Sequence, residues 1–262
     1  MEYISVSYPD LLIALTLILI PLIISLQSGL GIEKELLLGT VRTFIRLMII
    51  GYVLKYIFGM QKWYFVLLMV LIMAIVAGYN AVKRQKHKIP GMFPLVTFSI
   101  FLGASIAMIA LIILILRVDP WYEPQYLIPI SGMMLGNAMN AVALAVDRLF
   151  SECRARRWEI EAALALGASP HRAIVPMLRE AARAATMPTI NAMMVVGIVQ
   201  LPGMMTGQII GGVAPEQSVR YQIIIMYMLA ASVSISCISI LYLFYRKLFT
   251  RGEQLKLDLV LQ

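Results

Sequence analysis

Histidine and cysteine are nearly absent, with two of each in 262 residues. Both histidines, His87 and His171, fall in polar stretches, which excludes a histidine-built metal site inside the apolar runs. Cys153 lies in a polar segment and Cys237 in an apolar one, so neither suits a structural disulfide. Charge is scarce too: 14% of residues are Asp, Glu, Lys or Arg, against 61% hydrophobic and a mean hydropathy of +0.85. A water-soluble domain of this length has no use for so much apolar surface, so the expected solvent is a bilayer. No G-x-x-x-x-G-K-[ST] occurs, which leaves the chain without a phosphate loop for ATP. Ser/His/Asp and Cys/His arrangements are missing from the apolar runs, as are paired carboxylates and any mid-membrane carboxylate that could couple an ion gradient. Those absences argue against an enzyme and weigh against an ATP-independent channel or carrier. The net charge of +8 does not indicate nucleic acid, because a nucleic-acid binder gathers its cations on a soluble domain. Here they separate apolar runs.

What is present is a series of such runs. A span needs roughly 20 apolar residues to cross about 30 Å of hydrocarbon. Seven are expected: Pro9–Gln27, Gly39–Phe58, Trp63–Val82, Met92–Leu116, Tyr126–Val146, Ala184–Ile210 and Tyr221–Tyr245. The opening MEYISVSYPD lacks the basic start of a cleavable signal, so the first run is expected to stay. Leu30–Leu38 reads as a short amphipathic helix at the inner surface. Trp121, Tyr122 and Tyr126 sit where an aromatic belt would. With the N-terminus outside, 18 of the 22 Lys and Arg fall on the cytoplasmic side; Lys55, Lys62, Arg117 and Arg220 stay outside. That asymmetry predicts an all-α, multi-pass protein with an external N-terminus and a cytoplasmic C-terminus. A single transmembrane domain fills residues 1–262, and 147–183 form a cytoplasmic hairpin within it.

The hairpin carries EAALALGASPHRAIVP, from Glu161 to Pro176. Glu161, Ala162 and Ala163 end a helix that Gly167 can terminate in the left-handed conformation. Ser169 then serves as N-cap and Pro170 as first helical residue. The second helix bends at Pro176 and feeds the sixth run. The result is a small-residue knob comprising Glu161, Ala162, Ala163, Gly167, Ala168, Ser169 and Pro170. It resembles the coupling helix of ABC transporter permeases, whose E-A-A-x-x-x-G docks on the ATPase. Ile174, Val175 and Pro176 only partly match the importer's later I-x-L-P.

Further stretches narrow the resemblance. GYVLKYIF (Gly51–Phe58), IPISGMMLGNAMNAVALA (Ile128–Ala145), LALGASP (Leu164–Pro170) and QLPGMMTGQI (Gln200–Ile209) are similar to the FetB-type (UPF0014) permease family. Bacterial iron-export permeases and plant proteins linked to aluminium tolerance belong to it. The resemblance implies a membrane subunit of the bacterial inner membrane that dimerises and exports iron or another metal ion. ATP and Mg would be bound by a separate ATPase subunit, and this chain would hold no cofactor. Plant relatives have been tied to a nucleotide sugar, so an organic anion is the alternative cargo.

The motif G-M-M-x-G-[N/Q] occurs twice, at Gly132–Asn137 and Gly203–Gln208. Each copy lies about 7 residues from the outer end of its span, roughly 10 Å deep at 1.5 Å per residue, so antiparallel helices could bring the two together. Gly132, Gly136, Gly203, Gly207 and Gly211 form small-residue faces suited to close helix packing. Beside them run a stripe of Met133, Asn137 and Asn140 and another of Gln200, Met204 and Gln208, with Met134 and Met205 adjoining; Pro202 could rotate the second. Amides are costly in lipid, so the stripes should face protein or a watered path. Interhelical hydrogen bonding explains them as well as a cargo path does. Asn191 is a further amide of open facing. Such a path would be neutral, and its thioethers suit soft ions better than ferrous iron. Arg42 and Arg46 share a helical face near the inner end of the second span. They fit either positive-inside bias or an anionic cargo.

Overall fold

The computed structural model describes residues 7–60, 62–85, 89–250, 252–256 and 259. Lys86, His87, Lys88 and Arg251, counted above, lie outside the described residues. In order come α1 (Tyr8–Ser28), α2 (Glu33–Met60), α3 (Trp63–Lys83) and α4 (Met92–Ile109), which continues as a π-helical stretch, Ala110–Leu116. They are followed by α5 (Pro124–Ala155), α6 (Arg157–Ala165), α7 (Pro170–Val195), α8 (Gly203–Ile210) and α9 (Pro215–Tyr245). The protein is all-α, because a chain in hydrocarbon must satisfy its backbone within each segment.

Six helices among the described residues are long and apolar enough to span a bilayer: α1, α2, α3, α4 with its π stretch, α5 and α9. The seventh expected span, Ala184–Ile210, is not one helix. It breaks between Val195 and Gly203, where Gly197 takes φ +85° and Pro202 has no N–H to donate. The Val195 carbonyl collects the N–H groups of Ile198, Val199 and Gln200, and Gly197 N–H donates to the Gln200 carbonyl at 2.9 Å. Nor is Leu30–Leu38 a separate surface helix. Glu33–Leu38 are the first turns of α2, continuous to Met60. The expected end of the fifth span at Val146 is also passed, since α5 runs on to Ala155.

The chain divides into two compact bodies, Met1–Gln61 with Ile210–Gly212, and the remainder. In the first, α1 ends on Gly29 in the left-handed conformation, and Ser25 Oγ donates to Glu33 Oε1 at 2.6 Å, joining the two helices. In the second, α4, α5, α7 and α9 enclose a core around Met134, Leu149, Phe150, Ile174, Ile240 and Phe244. Phe150 and Phe244 meet edge to face with centroids 6.1 Å apart. Two glycines sit where neighbouring helices leave no room for a Cβ. A Cβ on Gly103 of α4 would stand 2.5 Å from the Ser232 carbonyl oxygen on α9 and also strike Ser236. One on Gly78 of α3 would strike the Thr97 side chain of α4. Neither glycine belongs to the repeated motif.

Candidate functional site

Two regions of the second body carry the polar chemistry, and α7 joins them. At one end lies the hairpin. Gly167 adopts φ +83° and closes α6 with a paired 6→1 and 5→2 bond pattern: Ala168 N–H to Ala163 O and Gly167 N–H to Leu164 O, both 3.0 Å. Ser169 Oγ accepts from Arg172 N–H, and Pro170 starts α7, which continues unbroken past Pro176 and Pro188. Ile160, fully buried, pins α6 to the core, while Leu166 on the tip is 88% exposed. Glu161, Gly167 and Ala168 border a surface groove that they share with Gly252–Leu255. Ala162 and Ser169 are exposed; Ala163 and Pro170 are partly covered. His171 stacks on Tyr242 at 5.9 Å and meets Tyr245 edge-on at 5.6 Å, tying the start of α7 to the end of α9. Outside the spans, Arg156 holds the Glu159 carboxyl below its ordinary value through a charge-assisted hydrogen bond.

At the other end of α7 is a cleft of about 280 Å³. It gathers Met133 and Asn137 from α5, Gln200 from the break, Met204 from α8, and Gln222 and Met226 from α9. Pro188, Thr189 and Ala192 of α7 complete the wall. The two copies of the repeated motif therefore share one cleft, although Gln200 reaches it from irregular backbone and not from a helix stripe. Asn137 Nδ2 donates to the Met133 carbonyl at 2.8 Å. Val196, Gln222 and Met226 also line a neighbouring cavity of about 260 Å³ that includes Met193 and Met205. None of the residues lining the cleft is charged.

Other expected residues fall elsewhere. Met134 is buried in the core. Asn140 Oδ1 accepts from Arg84 Nη1 at 2.9 Å, at the end of α3. Gln208 does not line the cleft; its Oε1 is buried and meets no hydrogen-bond partner among the described residues. Asn191 is exposed on α7. A Cβ on Gly136, Gly203 or Gly207 would meet nothing within 4 Å among the described residues, and one on Gly132 meets only Met73 Cε, at 3.0 Å. Gly211 lies in the turn after α8. Arg42 and Arg46 are exposed on α2 in the first body. Sequence reasoning missed Gln222 and Met226. Their signal was an amide and a thioether at i and i+4 near the start of an apolar run. Among the described residues no group of three or more His, Cys, Asp or Glu could hold a metal ion.

Comparison with known proteins agrees with this architecture. The family described as "Uncharacterised protein family (UPF0014)" matches residues 8–249. The chain is 40% identical over 258 residues to the "UPF0014 membrane protein YjkA" of Bacillus subtilis, covering 98% of this chain and 99% of that one. It is 39% identical over 251 residues to the "Probable iron export permease protein FetB" of Escherichia coli, covering 96% and 95%. With the "Protein ALUMINUM SENSITIVE 3" of Arabidopsis thaliana it shares 35% over 243 residues, covering 93% and 88%. No solved structure matches.

Proposed function

This chain belongs to the UPF0014 family of multi-pass membrane proteins, and on that premise we propose that it is the permease subunit of an ATP-driven exporter, moving a metal cation from the cytoplasm across the bacterial inner membrane. Iron is the metal in the name of the Escherichia coli relative. ATP and Mg would be held by a separate ATPase chain.

One observation carries the reading. A single helix, α7, starts on the docking turn at Gly167–Ser169 and ends at the cleft beside Val196. Its 26 residues span about 39 Å at 1.5 Å per residue. A partner closing on the hairpin would move α7, and with it the wall formed by Pro188, Thr189 and Ala192, against Met133 and Asn137. The break at Val196–Pro202 lets that wall shift without dragging α8, and discontinuous helices of this kind commonly line transport sites. The neutral lining favours a cation over an organic anion, which would need cationic partners there.

Two copies per transporter are part of the proposal. Met226 lies 11 residues into α9, about 16 Å from its start, and Val196 shares a cleft with it. Counted from the expected span edge at Tyr221, Met226 is only about 8 Å deep, which still places the break within the membrane, yet Ile198 is 87% and Val199 81% exposed. Irregular backbone is tolerated at that depth only when protein or water covers it. A second copy supplies that cover.

The test is total metal content of cells producing this chain with a candidate partner ATPase, against the same pair carrying a hydrolysis-dead ATPase. A selective, hydrolysis-dependent fall in one metal is expected. No change in any metal would overturn the reading.

A further inference from the structure

We infer that the cleft, taken as the cargo path proposed above, is a binding site for a soft monovalent cation of the cuprous type, with Gln222 and Met226 among its ligands. Met133, Met204 and Met226 bring three thioethers to one cavity, and Met193 and Met205 line the cavity next to it. Thioethers bind soft ions and contribute little to hard or borderline divalent ones. The remaining side-chain donors in the cleft are carboxamide oxygens on Asn137, Gln200 and Gln222 and the Thr189 hydroxyl, the neighbouring cavity adds the Tyr227 hydroxyl, and no carboxylate, thiolate or imidazole lines either cavity. A divalent ion entering here would shed its hydration with no negative charge to replace it. The Born cost of that step grows with the square of the charge, so a monovalent ion suffers far less.

Gln222 supplies the independent observation. It is 6% exposed, lines both cavities, and its Oε1 meets no hydrogen-bond partner among the described residues. A buried amide oxygen left bare in an apolar bundle is unfavourable unless a ligand completes it. With Val196 and Met226, Gln222 forms the partition shared by the two cavities. A cation passing from one to the other would move past these three residues, with the Gln222 oxygen and the Met226 sulfur as the donors they offer.

The experiment is equilibrium binding of Ag(I), a redox-inert probe for this class, to the purified full-length protein in chloride-free buffer, with anaerobic Fe(II) alongside. Ag(I) should bind with a stoichiometry of one and outcompete Fe(II). The Met204→Leu/Met226→Leu double variant should bind at least tenfold more weakly, while Met92→Leu, in the core of α4, should match the parent. Gln222→Met adds a thioether to the lining the two cavities share and should tighten binding in protein whose unfolding midpoint matches the parent, so that the buried Cys153 and Cys237 thiols stay out of reach. Ag(I) affinity indifferent to all three cleft positions, or Fe(II) bound more tightly than Ag(I), overturns the inference. If silver follows the cleft variants but no metal leaves cells, the site stands and the export reading falls. If a metal is exported while silver ignores Met204, Met226 and Gln222, the reverse holds.

Discussion

Gly167 separates two causes that usually travel together, backbone strain and lost contact with a partner. Its φ of +83° lies where an L side chain costs about 1–2 kcal/mol. A Cβ there would meet nothing within 4 Å among the described residues, so no clash within the chain adds to that strain. For a chain of this size the strain lowers the unfolding midpoint by about 2–8 °C, and the helical bundle survives. Asn tolerates the left-handed region better than Ala does. Strain alone therefore ranks the damage of Gly167→Ala and Gly167→Trp as similar, with Gly167→Asn mildest. Docking ranks by bulk: Ala mild, Asn worse, Trp abolishing association. The assay pairs thermal unfolding of the three variants in detergent with their affinity for the cognate ATPase. Unfolding should follow the first ranking and affinity the second. ATPase affinity unchanged in Gly167→Trp, with the protein still folded, would refute the assignment of this turn as the docking surface.

Gly103→Ala should separate α4 from α9 at Ser232 and Ser236, costing about 1–3 kcal/mol by overpacking, whereas Gly136→Ala faces open space and should unfold within a degree or two of the parent. Val199→Cys should form a disulfide-linked dimer in membranes under mild oxidation. The native Cys153 and Cys237 are buried and should stay silent, and a monomer on the gel would speak against the two-copy proposal. The Glu159 carboxyl is depressed below 4.5 by Arg156, so its stabilising share is present above that value and lost as pH falls through the lowered pKa. Unfolding midpoints of the parent and Glu159→Gln should therefore differ near neutrality and converge on acidification; a gap that persists would contradict the pairing.

The hairpin was legible in the sequence because its signals are local: glycine where a positive φ is required, serine one residue before proline, a small-residue helix ahead of both. The six uninterrupted spans were legible from apolar length alone. The broken span was not, since Val195–Leu201 reads as apolar and only Gly197 and Pro202 hint at the interruption. The close approach of α4 to α9 was unseen for a related reason. Spacing-four glycines announce a small face without saying what lies opposite, and α4 and α9 approach through Gly103 and two serines that form no motif. Gln222 and Met226 went unseen because lining a cleft is a property of three-dimensional neighbours. No periodicity within α9 reports which residues of α5 and α8 will face it.

The unbroken run of α7 has a thermodynamic consequence. If the ATPase at Gly167 and the cargo at Val196 each bias the position of the same helix, their affinities are linked by one coupling free energy that acts equally in both directions. Cargo in the cleft must then change the permease's affinity for its ATPase by the same factor, and in the same sense, as ATPase docking changes cargo affinity. Measuring both factors on one preparation asks whether the helix is a shared element or two ends that move independently.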